Sequence, residues 1–143
     1  MRIYLDACAY NRPFDNQSRD RVRLEAECVS RILGHCDGGE IDLVSSDALE
    51  FELGRTPDEV LRNALLELQS KHRDFVRRDR VVVARVATLE EFSIRGMDAI
   101  HLALAEKGKV DYFVTTDIDL IKRAQKVESG IKVVDPIDFM LHI

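Results

Sequence analysis

GMDAIHLALAEKGKVDYFVTTDID, residues 96–119, joins one helix to one strand and sets a carboxylate at a boundary of each. Ala99, Ala103 and Ala105, with Leu102 and Leu104 among them, predict a helix opened by Asp98 whose small side chains let it lie close on a sheet. Gly108 is placed to end it. Tyr112 to Thr115 is a β-prone run, and Thr116-Asp117 falls where that strand should finish. In open α/β sheets ligands gather outside the carboxyl ends of the strands, so Asp117 stands where a functional acid is expected.

Outward from that segment the same alternation continues. Ile3 to Leu5 predicts a short buried strand with Asp6 at its end, a counterpart of Asp117. ACAYNRPFDNQSRD, which follows, is rich in turn formers and predicts a loop. From about Arg19 the apolar positions Val22, Ala26, Val29, Ile32 or Leu33, and Cys36 recur at helical steps until Gly38-Gly39. Ile41 to Ser45 reads as a second strand, and Ser45 or Ser46 as the cap of a short helix holding Leu49, Glu50, Glu52 and Leu53. Thr56-Pro57-Asp58-Glu59 reads as a capping box opening a helix with the stripe Val60, Leu61, Ala64, Leu65 and Leu68. Val81 to Val86 is β-branched and predicts a central strand, with Thr88 and Glu91 capping a short helix that ends near Gly96. Beyond Asp117 a helix carries Lys122, Arg123 and Lys126, Ile131 to Val134 is a last strand, and Pro136 stops it. The expectation is an α/β fold: one domain over residues 1–143, its central parallel sheet covered by helices on both faces with right-handed crossovers.

Composition narrows the chemistry. At 143 residues a single domain with a core is expected. The 21 basic and 26 acidic residues leave a net charge of −5, so bulk charge does not hold this chain to nucleic acid. A polyanionic substrate needs metal ions or a local basic patch. Cys8, Cys28 and Cys36 form no CxxC pair, which argues against a disulfide framework or a structural zinc site and fits a reducing cytoplasm. MRIYLDAC has no leader-like apolar core, and no apolar run approaches ~20 residues, so no membrane association is expected.

Four acids fall at helix starts or strand ends: Asp6, Glu52, Asp98 and Asp117. Carboxylates sharing a crevice raise one another's pKa values unless a divalent cation neutralises them, and all-oxygen ligands select Mg²⁺ or Mn²⁺ over zinc. Acids also favour helix N-termini because they complement the dipole, so spacing alone leaves both readings open. Their context adds to it. Ile3-Tyr4-Leu5-Asp6-Ala7 followed by Asn11, Ser46 leading to Glu52-Leu53-Gly54, Asp98-Ala99-Ile100-His101-Leu102-Ala103-Leu104-Ala105, and Val114-Thr115-Thr116-Asp117-Ile118-Asp119-Leu120 resemble, in order and context, the PIN domain family. The resemblance covers nearly the whole chain and is most specific in DAIHLALA and VTTDIDL. It implies a PIN-like domain with divalent-metal-dependent endoribonuclease activity, leaving 5′-phosphate and 3′-hydroxyl ends. By the resemblance Asp6, Glu52, Asp98 and Asp117 are the catalytic, metal-binding acids, Asp119 matches a further acidic position, and the cofactor is Mg²⁺ (or Mn²⁺). Many small bacterial members are toxins of VapBC-type modules, so the implied partners are an RNA substrate, a cognate antitoxin and a second copy in a homodimer.

Around this set, Asn11, Thr115 and Thr116 are candidates to orient a carboxylate, a water or a phosphate, although short polar residues at strand ends also cap turns. Glu50 and Glu52 lie two apart on a helix and point in different directions; the register from Ser46 favours Glu52 and leaves Glu50 in reserve. His101 reads as a packed residue rather than a proton shuttle, and Cys8 as a small loop or core residue. Lys71 to Arg85 carries six basic residues against two acidic ones, either an RNA-facing patch or a solvated helix end. Of the arginines nearer Asp6, Arg12 and Arg19 are the favoured phosphate contacts, because the loop after the first strand borders the expected site. The alternative function is a catalytically silent PIN-fold module that binds RNA or protein. A phosphoryl-transfer enzyme of the haloacid-dehalogenase kind needs a second Asp two residues after the first, where this chain has Cys8.

Overall fold

Ile3, Tyr4 and Leu5 are wholly buried, as a strand must be when it has a neighbour on each side and helices above and below. The computed structural model describes all residues from Met1 to Ile143. Its strands are β1 (Arg2–Leu5), β2 (Asp42–Ser46), β3 (Asp74–Val76), β4 (Tyr112–Val114) and β5 (Lys132–Val134), and its helices α1 (Ala7–Asn11), α2 (Asp20–Asp37), α3 (Asp47–Gly54), α4 (Glu59–Gln69), α5 (Arg80–Glu90), α6 (Gly96–Lys107), α7 (Ile118–Ala124) and α8 (Pro136–Met140). The five strands form one sheet in the order β3-β2-β1-β4-β5, parallel throughout. Chain direction across the sheet reverses after β3, so connections made before and after it pass over opposite faces and the two halves part between β1 and β4. That parting is the switch point at which an α/β sheet opens a crevice. No helix is long and apolar enough to cross a membrane.

The helices seat themselves through their caps and small residues. Ser46 Oγ accepts from Leu49 N at 3.1 Å to start α3, and Asp117 Oδ1 accepts from Leu120 N at 3.1 Å to start α7. In α6, Ala99, Ala103 and Ala105 are buried together with Leu102 and Leu104, so the helix lies close on the sheet. Burial of each leucine contributes roughly 1.5–3 kcal/mol.

Several expectations are corrected. Val81 to Val86 is not a strand but part of α5; the place beside β2 is taken by β3, with Ser45 opposite Phe75 and Ser46 opposite Val76. Valine's β-propensity is overridden by a cap at Asp79, whose Oδ1 accepts from Val82 N at 2.9 Å, and by a helical stripe of Val82, Val86 and Leu89 turned to the core. Thr88 accordingly lies inside α5 and caps nothing, and Gly96 opens α6 instead of ending a helix. The stretch after β1 is not loop throughout: Asp6 starts α1, and Arg12–Phe14 forms a 3-10 turn. Asp58 rather than Thr56 caps α4, accepting from Leu61 N at 3.0 Å, and Val60 of its expected stripe is exposed. β5 does end before Pro136, as expected, and Pro136 also begins α8 at the first helical position, where its missing N–H costs no bond.

Candidate active site

The carboxyl ends of β1 and β4 deliver two acids to the switch point. Asp6 follows β1, is nearly buried, and spends both carboxylate oxygens: Oδ1 accepts from Ala7 N at 2.8 Å, and Oδ2 accepts from Thr115 Oγ1 at 2.8 Å and from the Cys8 thiol at 3.4 Å. Thr115 sits at the end of β4 and its hydroxyl also accepts from Asp117 N at 3.1 Å, so one hydroxyl ties Asp6 to the turn carrying Asp117. Burial raises the Asp6 carboxyl pKa, and the Glu52 charge adds to the rise, while the facing His101 and the Thr115 and Cys8 hydrogen bonds oppose it. Asp98, on the first turn of α6, is pushed up to about 6 by burial first and then by the charges of Asp6 and Asp117, with Glu52 a smaller contributor. Asp98 thus feels the charges of three acids that come from three other segments.

Glu52 is held by a buried polar chain that links α3 and α6 to the adjacent strands β1 and β2. Its Oε1 lies 2.7 Å from His101 Nε2, His101 Nδ1 lies 2.6 Å from Tyr4 Oη, and Tyr4 Oη lies 2.6 Å from Ser46 Oγ. Tyr4, Ser46 and His101 are fully buried. The polarity in which every hydrogen finds an acceptor runs Leu49 N–H to Ser46, Ser46 O–H to Tyr4, Tyr4 O–H to His101 Nδ1, and His101 Nε2–H to Glu52. Strands β1 and β2 and helices α3 and α6 each supply a member. Tyr4 stacks on Phe113 of β4 at 5.4 Å between ring centroids, which fixes the phenol in place. Glu50, by contrast, is exposed on the outer face of α3.

The remaining candidates divide. Thr115 hydrogen-bonds Asp6 directly, whereas Thr116 meets the group through its backbone, its N–H reaching Cys8 Sγ at 3.4 Å. Asn11 turns back into its own helix, Nδ2 donating to Ala7 O at 3.0 Å. Asp119 is exposed in the first turn of α7. Arg12 is engaged internally by Asp15 at 3.1 Å and by the buried Glu25 at 3.2 Å, while Arg19 is exposed just before α2. Sequence reasoning missed Tyr4 as a polar participant and His101 as the partner of Glu52. The one local signal was a tyrosine in an otherwise aliphatic strand, where a buried hydroxyl needs a partner.

The donor chemistry fits a hard divalent cation. Asp6, Glu52, Asp98 and Asp117 offer oxygen only, and Cys8, the one nearby sulfur, has its pKa pushed up to about 12 by burial and the Asp6 charge, so it keeps its proton and supplies no thiolate. Mutual repulsion among the acids is the cost that a cation would offset. The set is open, with no three His, Cys, Asp or Glu side chains gathered round one point.

No protein-family model and no curated protein matches the chain. Among solved structures it is similar to FitAcB from Neisseria gonorrhoeae (18% identity, 94% of this chain and 98% of that chain covered, TM-score 0.56). It is similar also to VapBC2 from Rickettsia felis bound to a DNA fragment from their promoter (12%, 94% and 98%, TM-score 0.59) and to DNA-bound VapBC from Salmonella typhimurium (13%, 95% and 98%, TM-score 0.57). At these identities the likeness is one of fold: an α/β domain with a central parallel sheet flanked by helices.

Proposed function

We propose that this chain is a divalent-metal-dependent endoribonuclease, hydrolysing RNA phosphodiester bonds, and that it is the toxin of a VapBC-type toxin-antitoxin module. The observation that supports the nuclease reading is that Asp6 and Asp117 follow β1 and β4 at the switch point, and that Asp98 has its pKa raised to about 6, by burial first and then by the charges of Asp6, Asp117 and Glu52. Similarity of fold to VapBC and FitAcB supports the toxin reading, with a protein antitoxin and a second copy of the chain as partners.

In this reading Asp6, Glu52, Asp98 and Asp117 hold Mg²⁺ or Mn²⁺, with Asp119 in reserve at the outer edge. A bound ion supplies Lewis-acid polarisation of the phosphodiester and a water acidic enough to attack at neutral pH. The chain's own groups do the positioning. Asp6 is locked by Thr115 and Ala7, and Glu52 is aimed by His101, so two of the four acids are oriented before any ligand arrives.

The test is cleavage of a panel of structured and single-stranded RNAs by the purified chain in Mg²⁺, in Mn²⁺ and in EDTA. The expected outcome is cleavage with either ion, none in EDTA, 5′-phosphate ends, and none from Asp98→Asn. Cleavage that persists in EDTA or in Asp98→Asn overturns the metal assignment. RNA binding by a folded protein that cuts nothing with either ion favours the silent-module alternative. Co-purification with the product of an adjacent small reading frame tests the antitoxin.

A further inference from the structure

The connection from α5 to α6 is short and unusually shaped. Ile94 is buried and its N–H bonds Leu89 O at 3.2 Å, pinning the middle of the connection, while Ser93 and Arg95 on either side are exposed. Ser93 (φ 65°) and Gly96 (φ 59°) are both left-handed. For serine that conformation costs of order 1 kcal/mol, a strain that concentrates where a segment has a functional shape to hold. The result is that Ser93 and Arg95 border the same cavity as Asp98. Arg123, from the last turn of α7, closes the other side. The cavity is about 300 Å³ and its lining is Ser93, Arg95, Asp98 and Arg123, with no apolar residue.

The two arginines are uncommitted. Several other guanidinium groups are spent on carboxylates, among them Arg2 on Asp74, Arg21 on Asp135, Arg78 on Asp47 and Arg85 on Glu106. Arg95 and Arg123 form no ion pair, although Asp98 lines the same cavity. The cavity therefore has an acidic end that belongs to the candidate catalytic group and a basic end free to take an anion. We propose that Arg95 and Arg123, with the Ser93 hydroxyl, form a subsite for a phosphodiester of single-stranded RNA next to the one cut at the acids, an inference that rests on the nuclease reading above. Planar guanidinium groups suit phosphate oxygens, and a wall without an aromatic or aliphatic face gives a base nothing to stack on. The subsite holds backbone, so it sets register along the strand without reading sequence.

The test is fluorescence anisotropy of end-labelled oligo-U and oligo-A RNAs in EDTA, where nothing is cut, as a function of salt. Arg95→Gln and Arg123→Gln in the full chain should each weaken binding about tenfold, equally on both probes, and each should lower the slope of log K against log salt by about 0.7. Both positions are exposed, so melting temperatures should stay at the parent value. Arg→Lys at both positions should restore the slope while recovering affinity only in part. A double Gln variant that binds with parental affinity and slope overturns the subsite and leaves the nuclease reading standing. A loss confined to one probe sequence also overturns it, because it marks a base contact. Parent protein that neither binds nor cuts RNA overturns the nuclease reading and the subsite together.

Discussion

Two buried tyrosines make a matched experiment. Tyr4 and Tyr10 are both wholly buried, but the Tyr4 hydroxyl joins Ser46 to His101 at 2.6 Å on each side, whereas Tyr10 Oη has no hydrogen-bond partner. Tyr4→Phe keeps the ring stacked on Phe113 and removes only the oxygen. It leaves two groups stranded without solvent: His101 Nδ1 loses its donor and the Ser46 hydrogen loses its acceptor. Each stranded group costs roughly 1–3 kcal/mol, so about 2–6 kcal/mol together is expected. In a chain of this size that lowers Tm by roughly 7–20 °C. Tyr10→Phe removes a hydroxyl that pairs with nothing, so it should be neutral or slightly stabilising. Differential scanning calorimetry on the two variants checks the contrast. Adding Ser46→Ala to Tyr4→Phe should cost less than the sum of the single changes, since both break the same chain. Equal Tm shifts for Tyr4→Phe and Tyr10→Phe would refute the assigned network.

Glu52→Gln keeps a side chain that still bonds His101, so it should melt near the parent temperature while losing cleavage by about 100-fold or more, and exposed Glu50→Gln should cut nearly normally. The reverse ranking in a Mg²⁺ cleavage assay would show α3 carrying the other glutamate inward. The raised Asp98 pKa makes stability depend on pH in a defined direction: its contribution is fully present below the unfolded value near 3.8 and is lost as pH rises through about 6. In metal-free buffer the parent Tm should therefore fall over that window, and Asp98→Asn should flatten the fall; identical melting profiles from pH 4 to 8 would contradict the placement of Asp98 beside Asp6 and Asp117. Val81 and Val83 are exposed on α5, so alanine at each should raise stability by about 0.5 kcal/mol in urea melts. A loss there would be the mark of a strand.

What could be read from sequence was what is encoded locally. Ser46 capping α3, Gly108 ending α6 and Asp117 standing between β4 and α7 are all short-range patterns, and they place the acids at element ends without any tertiary knowledge. The valine run failed because propensity and period disagreed: Val81, Val82 and Val83 favour a strand by type, while Val82, Val86 and Leu89 repeat as a helix, and the Asp79 cap decided between them. The Tyr4–His101 contact joins residues far apart in sequence, and neither residue carries a local mark of the other. Arg12 shows the same limit from the other side. Its position suggested phosphate, but Glu25, one face of α2 away, claims the guanidinium once the helix packs.

The place of β1 in the sheet sets an order on synthesis. β1 is made before the four other strands of its sheet and is the central one, yet its neighbour on one side is complete only at Ser46 and on the other only at Val114. A growing chain thus holds Asp6 and Glu52 before the elements that bring Asp98 and Asp117 are made and can dock beside them. Truncated products that end before β4 lack both the partner strand of β1 and the Thr115 hydroxyl that locks Asp6. The acids are gathered late, by the last third of the chain, and a premature stop yields an unfinished sheet with no assembled crevice.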